Sequence, residues 1–445
     1  MTQDYDVVII GSGPGGNGAA YALAAEHKSV AVVENDLFGG TCPNRGCDPK
    51  RILLAAIEAK AYQDHMLGKG IDGGSQVNWP DLMAHKRNYT DAVPEKTEAG
   101  LKAAGVTTYH GSGKFTDEGT FEIGSEELSA RNFIIATGQH PALLPMAGQE
   151  NLLTSNDFLN LNQMPRDITI IGGGYIGFEL SSIAKGAGAN VHLIHHNNRP
   201  LKQFDEELVT DFVAAVKDEG IDVQLNTNVT EVQKADQQFN VQTADGRQFK
   251  TDAVFCAAGR VPNVDQLNLA AVGITTDRHG IQVDEHLKTT NPKIYAVGDV
   301  VSESHPKLTP KAAFDAAYVA ADILNPSQSA IDYPAIPTVV YGQPKLATVG
   351  VSEKDVQSNP DAYEVKSQDV TSWLTYHRIH DPYARVKTII QKSTHQVIGA
   401  QVMSSEADSL INAFTLMIDE KIDQKRLNQL ILAYPTTASD LTYFN

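Results

Sequence analysis

The 445-residue chain has only three cysteines and two tryptophans. Three thiols cannot staple a disulfide-dense secreted scaffold, so a reducing, cytoplasmic setting is expected. Basic residues are also short: 36 Lys and Arg against 54 Asp and Glu leave a formal charge of −18. That balance argues against nucleic acid or an anionic membrane surface as the main partner. No apolar run of about 18 residues occurs, so no membrane span is expected. The opening MTQDYDVVIIGSG lacks the basic and apolar regions of a secretory leader. The 35 glycines show no collagen-like or low-complexity period and are clustered instead. At roughly 100 to 200 residues per domain, the length allows two to four domains.

The first cluster follows an apolar run, Tyr5 to Ile10, as Gly11-Ser12-Gly13-Pro14-Gly15-Gly16. A helix-forming stretch and a second strand ending on Glu34 come next. The order recurs where Ile168 to Ile171 run into Gly172, Gly174 and Gly177. A single GxGxxG is a weak signal, because glycine also marks ordinary turns. Here each copy leaves a strand and opens a helix, which is the context a dinucleotide site requires. The first glycine permits the turn, the second lets the backbone approach a pyrophosphate, and the third lets helix and strand pack closely. The helix N-terminus then receives the phosphate charge. Two copies predict two dinucleotides.

Ile134 to Gly138 and Val254 to Gly259 read as the strand that closes each unit, and Thr289 to Asp299 places another strand before Gly298-Asp299. From Ile336 onward the pattern is alternating strands followed by two helices, a separate α+β module. The fold class is therefore α/β, with two Rossmann-like dinucleotide-binding domains and a C-terminal α+β domain.

The stretch Gly39-Gly40-Thr41-Cys42-Pro43-Asn44-Arg45-Gly46-Cys47-Asp48-Pro49-Lys50 carries the chemistry. Two cysteines five positions apart at a helix start can form a strained, reducible disulfide, with a thiolate favoured by the helix N-terminus. A zinc site lacks two further ligands nearby, so no metal is expected.

This stretch, about 30 residues after the first glycine fingerprint, resembles the redox motif of the glutathione reductase and dihydrolipoamide dehydrogenase family of flavoprotein disulfide reductases. The resemblance runs from Tyr5 to Asp440. It implies an FAD domain over residues 1–147, an NAD(P) domain over 148–265, a central part completing the FAD domain over 266–334, and a dimerisation domain over 335–445 that forms a homodimer. By the same resemblance Gly11, Gly13 and Gly16 receive the FAD pyrophosphate and Glu34 bonds the adenosine ribose. Asp299 holds the flavin side of FAD, and Thr309 lies near the ring. Gly40, Thr41, Gly113, Gly138, Gly259 and Arg260 line the cofactor sites. Gly172, Gly174, Ile176 and Gly177 take the nicotinamide nucleotide, with Tyr175 covering the flavin until nicotinamide arrives. Cys47 corresponds to the thiol beside the flavin, Cys42 to the interchange thiol that attacks substrate, and Lys50 and Glu179 to an ion pair near the flavin.

The second Rossmann strand ends in Leu193-Ile194-His195-His196-Asn197-Asn198-Arg199, then Lys202, with no carboxylate to take the ribose of NAD. His195, His196 and Lys202 align with the cations that read the 2′-phosphate of NADP, which predicts NADPH. The match breaks at the C-terminus. Tyr434 stands where the family has its acid-base histidine, and Ser439 where it has the glutamate. A phenol with a pKa near 10 is a poor base at pH 7, so His377 or His380 would have to replace the histidine, or Tyr434 act as a hydrogen-bond donor. The arginines that clamp glutathione carboxylates are absent too: Tyr21 and Ala317-Tyr318 occupy those places. Arg45 could substitute in part. Cys256, in an apolar strand, reads as a core residue.

The expected function is an NADPH-dependent flavoprotein reductase of a low-molecular-weight disulfide such as glutathione disulfide. Two alternatives remain open at this stage. One is reduction of a metal ion or quinone, like mercuric reductases but without their C-terminal cysteine pair; the other is a redox-sensing flavoprotein of low turnover.

Overall fold

The computed structural model describes residues 2–326 and 329–444. It resolves into two compact units. The first comprises Met1–Ile52, Ala84–Ala142 and Arg260–Asp332. Its strand β1 (Thr2–Ile10) runs parallel to β2 (Val30–Glu34) on one side and to strand Glu126–Ile135 on the other. Strand Thr107–His110 extends the sheet beyond β2, and Ile294–Ala296 extends it beyond Glu126–Ile135, both in parallel. The apolar run read from the sequence explains this, since Val7, Val8, Ile9 and Ile10 are all buried and a parallel sheet is covered on both faces. Helix α1 (Pro14–Ala25) provides one cover, burying Ala19, Ala20 and Leu23 against Ala316, Val319 and Ala320 of helix Thr309–Leu324.

The second unit comprises Leu53–Met83, Leu143–Gly259 and Tyr333–Asn445. Strand Asp167–Ile171 pairs in parallel with Asn190–Ile194 and Ala253–Cys256, and Asp222–Gln224 adds a fourth strand. Cys256 is buried in this sheet. Residues 335 onward form a five-stranded antiparallel sheet ordered Thr338–Val340, Lys345–Gly350, Gln396–Ser404, Arg385–Gln391, Tyr363–Asp369. Helix Ala407–Asp419 packs its Leu410, Ile411 and Phe414 on that sheet. The architecture is the α/β class read from the sequence, with two Rossmann-like sheets and a C-terminal α+β module. Leu53–Met83, inside the expected first domain, is grouped with the second unit because Leu53, Leu54, Ile57, Trp79, Leu82 and Met83 share a core with Ile168, Ile170 and Phe178.

Candidate active site

The two glycine fingerprints have one geometry. Gly11 lies at φ +107°, and a Cβ there would stand 2.4 Å from the Ala136 carbonyl oxygen; the corresponding Gly172, at φ +126°, would stand 2.3 Å from that of Ala257. A Cβ on Gly16 would meet the Gly11 oxygen at 1.9 Å, and one on Gly177 the Gly172 oxygen at 1.9 Å. Only glycine fits these four places. The middle glycines differ: Gly13 and Gly174 cap their helices and have nothing within 4 Å of a Cβ. That leaves open space over a helix N-terminus with aligned N–H groups, which is what a pyrophosphate needs.

Each fingerprint is braced from the end of the neighbouring strand. Glu34, 7% exposed, accepts the Ser12 N–H at 2.8 Å and the Asp36 N–H at 2.9 Å. Burial pushes its carboxyl above the usual range, and those backbone donors work against the shift. His195 holds the equivalent place, 8% exposed, with Nδ1 accepting the Gly173 N–H at 3.1 Å. Nε2 is then the protonated nitrogen and faces the Arg199 carbonyl at 3.4 Å. Burial, and then His196, press His195 toward the neutral form. Both His195 ring nitrogens are engaged within the chain, and the ring supports the glycine loop. His196 and Lys202 are exposed, whereas Arg199 is held by Glu206.

Gly40, at φ +68°, sets the redox loop against the first fingerprint, since its Cβ would stand 2.7 Å from the Gly13 Cα. Helix α2 (Thr41–Arg45) follows, and Gly46 separates it from α3 (Cys47–His65). Cys42 thus lies on the short helix and Cys47 is the first residue of the long one, where the helix dipole favours an anion. Both are free thiols here, Cys42 partly buried and Cys47 exposed. The Cys47 Sγ is 3.6 Å from the Thr309 hydroxyl, at the start of helix Thr309–Leu324.

The two thiols are driven apart in acidity. The hydrogen bond from Cys42 lowers Cys47 to about 6, with Thr309 and the Lys50 charge acting in the same direction. Cys42 is raised far above the ordinary thiol range by that same bond and then by burial. The reduced pair is a Cys42 thiol donating to a Cys47 thiolate. Because the Cys47 value is depressed, its thiolate dominates at pH 7 and disappears as pH falls through about 6. The ultraviolet thiolate absorbance of the reduced protein, less that of a Cys47→Ser variant, should follow this course. A midpoint near the ordinary thiol value would contradict it.

Asp299 is partly buried, and its carboxylate accepts no hydrogen bond from the described residues. Burial raises it, and the charges of Arg260, Lys307 and Lys311 oppose the rise. A carboxylate with no hydrogen bond from the described residues fits a polyhydroxylated cofactor chain. Gly138, at φ +65°, and Gly259, at φ +143°, have no atom near a Cβ. Gly113 does: its Cβ would stand 2.3 Å from the Phe121 ring, so strand packing accounts for that glycine. Lys50 lies in the first unit. Glu179, in the second, is buried on helix Tyr175–Gly186 and accepts the Tyr341 N–H at 3.0 Å. Tyr175, which opens that helix, is exposed, and Ile176 is partly buried.

At the C-terminus Tyr434 is 72% exposed. Ser439 exchanges hydrogen bonds with Thr436, so it closes a local turn. His377 and His380 lie in the second unit, His380 at φ +50°. Among the described residues no group of three or more His, Cys, Asp or Glu could hold a metal ion, and no helix is long and apolar enough to cross a membrane. Sequence reasoning missed one contact beside the thiols: the Tyr89 hydroxyl donates to Asp48 Oδ2 at 2.9 Å. The acidic residue directly after Cys47 was its only visible trace.

Residues 5–316 match the family model described as pyridine nucleotide-disulphide oxidoreductase, and residues 336–443 match the model of its dimerisation domain. A glutathione reductase of Burkholderia cepacia is 31% identical over 98% of this chain and 97% of its own length. A mercuric reductase of Lysinibacillus sphaericus is 29% identical over 99% of this chain and 82% of its own. Among solved structures, the HOCl-induced flavoprotein disulfide reductase RclA from Escherichia coli has the same fold, with a TM-score of 0.89 over 99% of both chains at 24% identity. Paired glycine cradles, a thiol–thiolate couple at a helix start and these matches agree: the chain belongs to the pyridine nucleotide-disulphide oxidoreductase family, FAD-dependent oxidoreductases of the flavoprotein disulfide reductase type.

Proposed function

We propose that the protein is a homodimeric, NADPH-dependent reductase of a low-molecular-weight disulfide, working through the Cys42–Cys47 pair. The observation that carries this is the thiol–thiolate couple beside Thr309. When bound, FAD supplies the two-electron relay between nicotinamide hydride and the cysteine pair. Gly11, Gly13 and Gly16 with Asp299 would hold it, and Gly172, Gly174 and Gly177 would hold the coenzyme, with His196 and Lys202 reading its 2′-phosphate. Lys50, Glu179 and Tyr175 belong to the same reading.

Cys42 gives up its proton across the hydrogen bond to Cys47 and attacks one sulfur of the acceptor. A Cys42 mixed disulfide forms and the first thiolate leaves. The Cys47 sulfur then attacks Cys42, the second thiolate leaves, and the intramolecular disulfide is restored. The two leaving thiolates become thiols with one proton from the cysteine pair and one from solvent, so NADPH, a proton and RSSR give NADP⁺ and two RSH. Tyr434, an exposed phenol, is suited to donate a hydrogen bond and not to act as a base. The test is NADPH oxidation against small disulfides, with quinones and metal ions as controls. Disulfide turnover with a preference for NADPH supports the reading; brisk quinone or metal reduction with no disulfide turnover refutes it.

A further inference from the structure

We infer that Asp48, held by Tyr89 beside the redox pair, makes the acceptor site selective for disulfides with positive or no charge and unfavourable to anionic ones such as glutathione disulfide. The inference rests on the disulfide-reductase reading above and narrows its substrate class. Asp48 directly follows Cys47 on the first turn of α3, and the Tyr89 hydroxyl fixes its carboxylate at 2.9 Å. Tyr89 is 51% exposed, so the pair sits at the surface. Asp48 has no ion pair among the described residues. Its charge disfavours the thiolate at both Cys42 and Cys47, and the Tyr89 phenol in turn feels Cys42, so the four groups share one electrostatic patch.

The Lys50 charge reaches Cys47, but the arginines that would clamp an anionic acceptor are engaged or missing. Arg45, in the redox loop, is bound to Asp36. Tyr318 stands where an arginine would clamp a carboxylate, and its hydroxyl is bonded to the Ser329 carbonyl and to His286. Tyr21 replaces the other arginine. An anionic acceptor brought to Cys42 would therefore meet a fixed like charge and no arginine clamp, whereas an ammonium group would find an oriented carboxylate.

The test labels the Cys47→Ser holoenzyme, in which no second thiol can displace a label from Cys42, with two methanethiosulfonates of similar size, one carrying a trimethylammonium group and one a sulfonate, and reads the rate at Cys42 by mass spectrometry. The cationic reagent should react faster by about tenfold, and added salt should compress the ratio. Asp48→Asn should bring the ratio to within about twofold of unity, and Asp48→Glu should keep it, because the site reads charge. Since both reagents attack one sulfur, a general change in thiol reactivity cancels in the ratio. Equal rates with Asp48 in place, or a ratio that Asp48→Asn leaves unchanged, would overturn the inference. In turnover, cystamine and hydroxyethyl disulfide should outrun glutathione disulfide, with the order relaxing in Asp48→Asn. If no disulfide turns over, the reductase reading fails, while the labelling ratio still decides whether Asp48 filters charge at Cys42.

Discussion

Replacing Cys42 by serine should lower NADPH-driven disulfide reduction on the order of 10³-fold or more, because a hydroxyl cannot form the mixed disulfide. Electron transfer from NADPH to a quinone, which needs no thiol exchange, should stay within about twofold. The division follows from the roles of the two sulfurs. Cys42 carries the proton of the pair and is the nucleophile toward substrate, whereas Cys47 is already ionised and lies 3.6 Å from Thr309. Cys47→Ser should abolish disulfide turnover as completely but leave Cys42 able to capture one half of a disulfide. Parallel loss of disulfide and quinone reduction in Cys42→Ser would mean that the substitution damages the cofactor site and that the assigned roles are wrong.

The second large effect concerns the coenzyme. Substituting His196 and Lys202 together by alanine removes the two exposed basic side chains that follow strand Asn190–Ile194. Each charge-assisted contact to a phosphate is worth about 1.5 kcal/mol or more, so kcat/KM for NADPH should fall on the order of 100-fold. With NADH it should change by no more than about threefold, since that coenzyme has no 2′-phosphate. His195→Ala should behave differently. Its ring holds the Gly173 N–H, and losing it should weaken both coenzymes alike. Equal or better kcat/KM with NADH in the unsubstituted protein would refute the NADPH assignment.

The contrast between His195 and His196 marks where sequence reasoning stops. Adjacent histidines at a strand end look alike as letters, yet the chain leaving the strand buries one ring and exposes the other. The buried ring takes the bracing place that Glu34 takes in the first unit, a repeat that becomes visible only once the Gly173 and Ser12 N–H groups are located. The glycine fingerprints were legible because backbone crowding permits only glycine at Gly11, Gly16, Gly172 and Gly177. Gly113 shows a second cause, as crowding by Phe121 of the neighbouring strand by itself selects glycine. The grouping of Leu53–Met83 with the second unit was hidden because its apolar residues meet partners far along the chain, such as Phe158 against Trp79. Asp48 and Tyr89 stand 41 positions apart, and nothing in local composition joins them.

In the proposed cycle electrons leave through Cys42 as a covalent mixed disulfide. The most direct measurement uses the Cys47→Ser holoenzyme, incubated with a neutral small disulfide under anaerobic conditions and digested for mass spectrometry. One half-disulfide adduct is expected on Cys42, and none on Cys256, which is buried in its strand. No adduct on Cys42 with neutral or cationic disulfides, while quinone reduction by the same preparation proceeds, would contradict it.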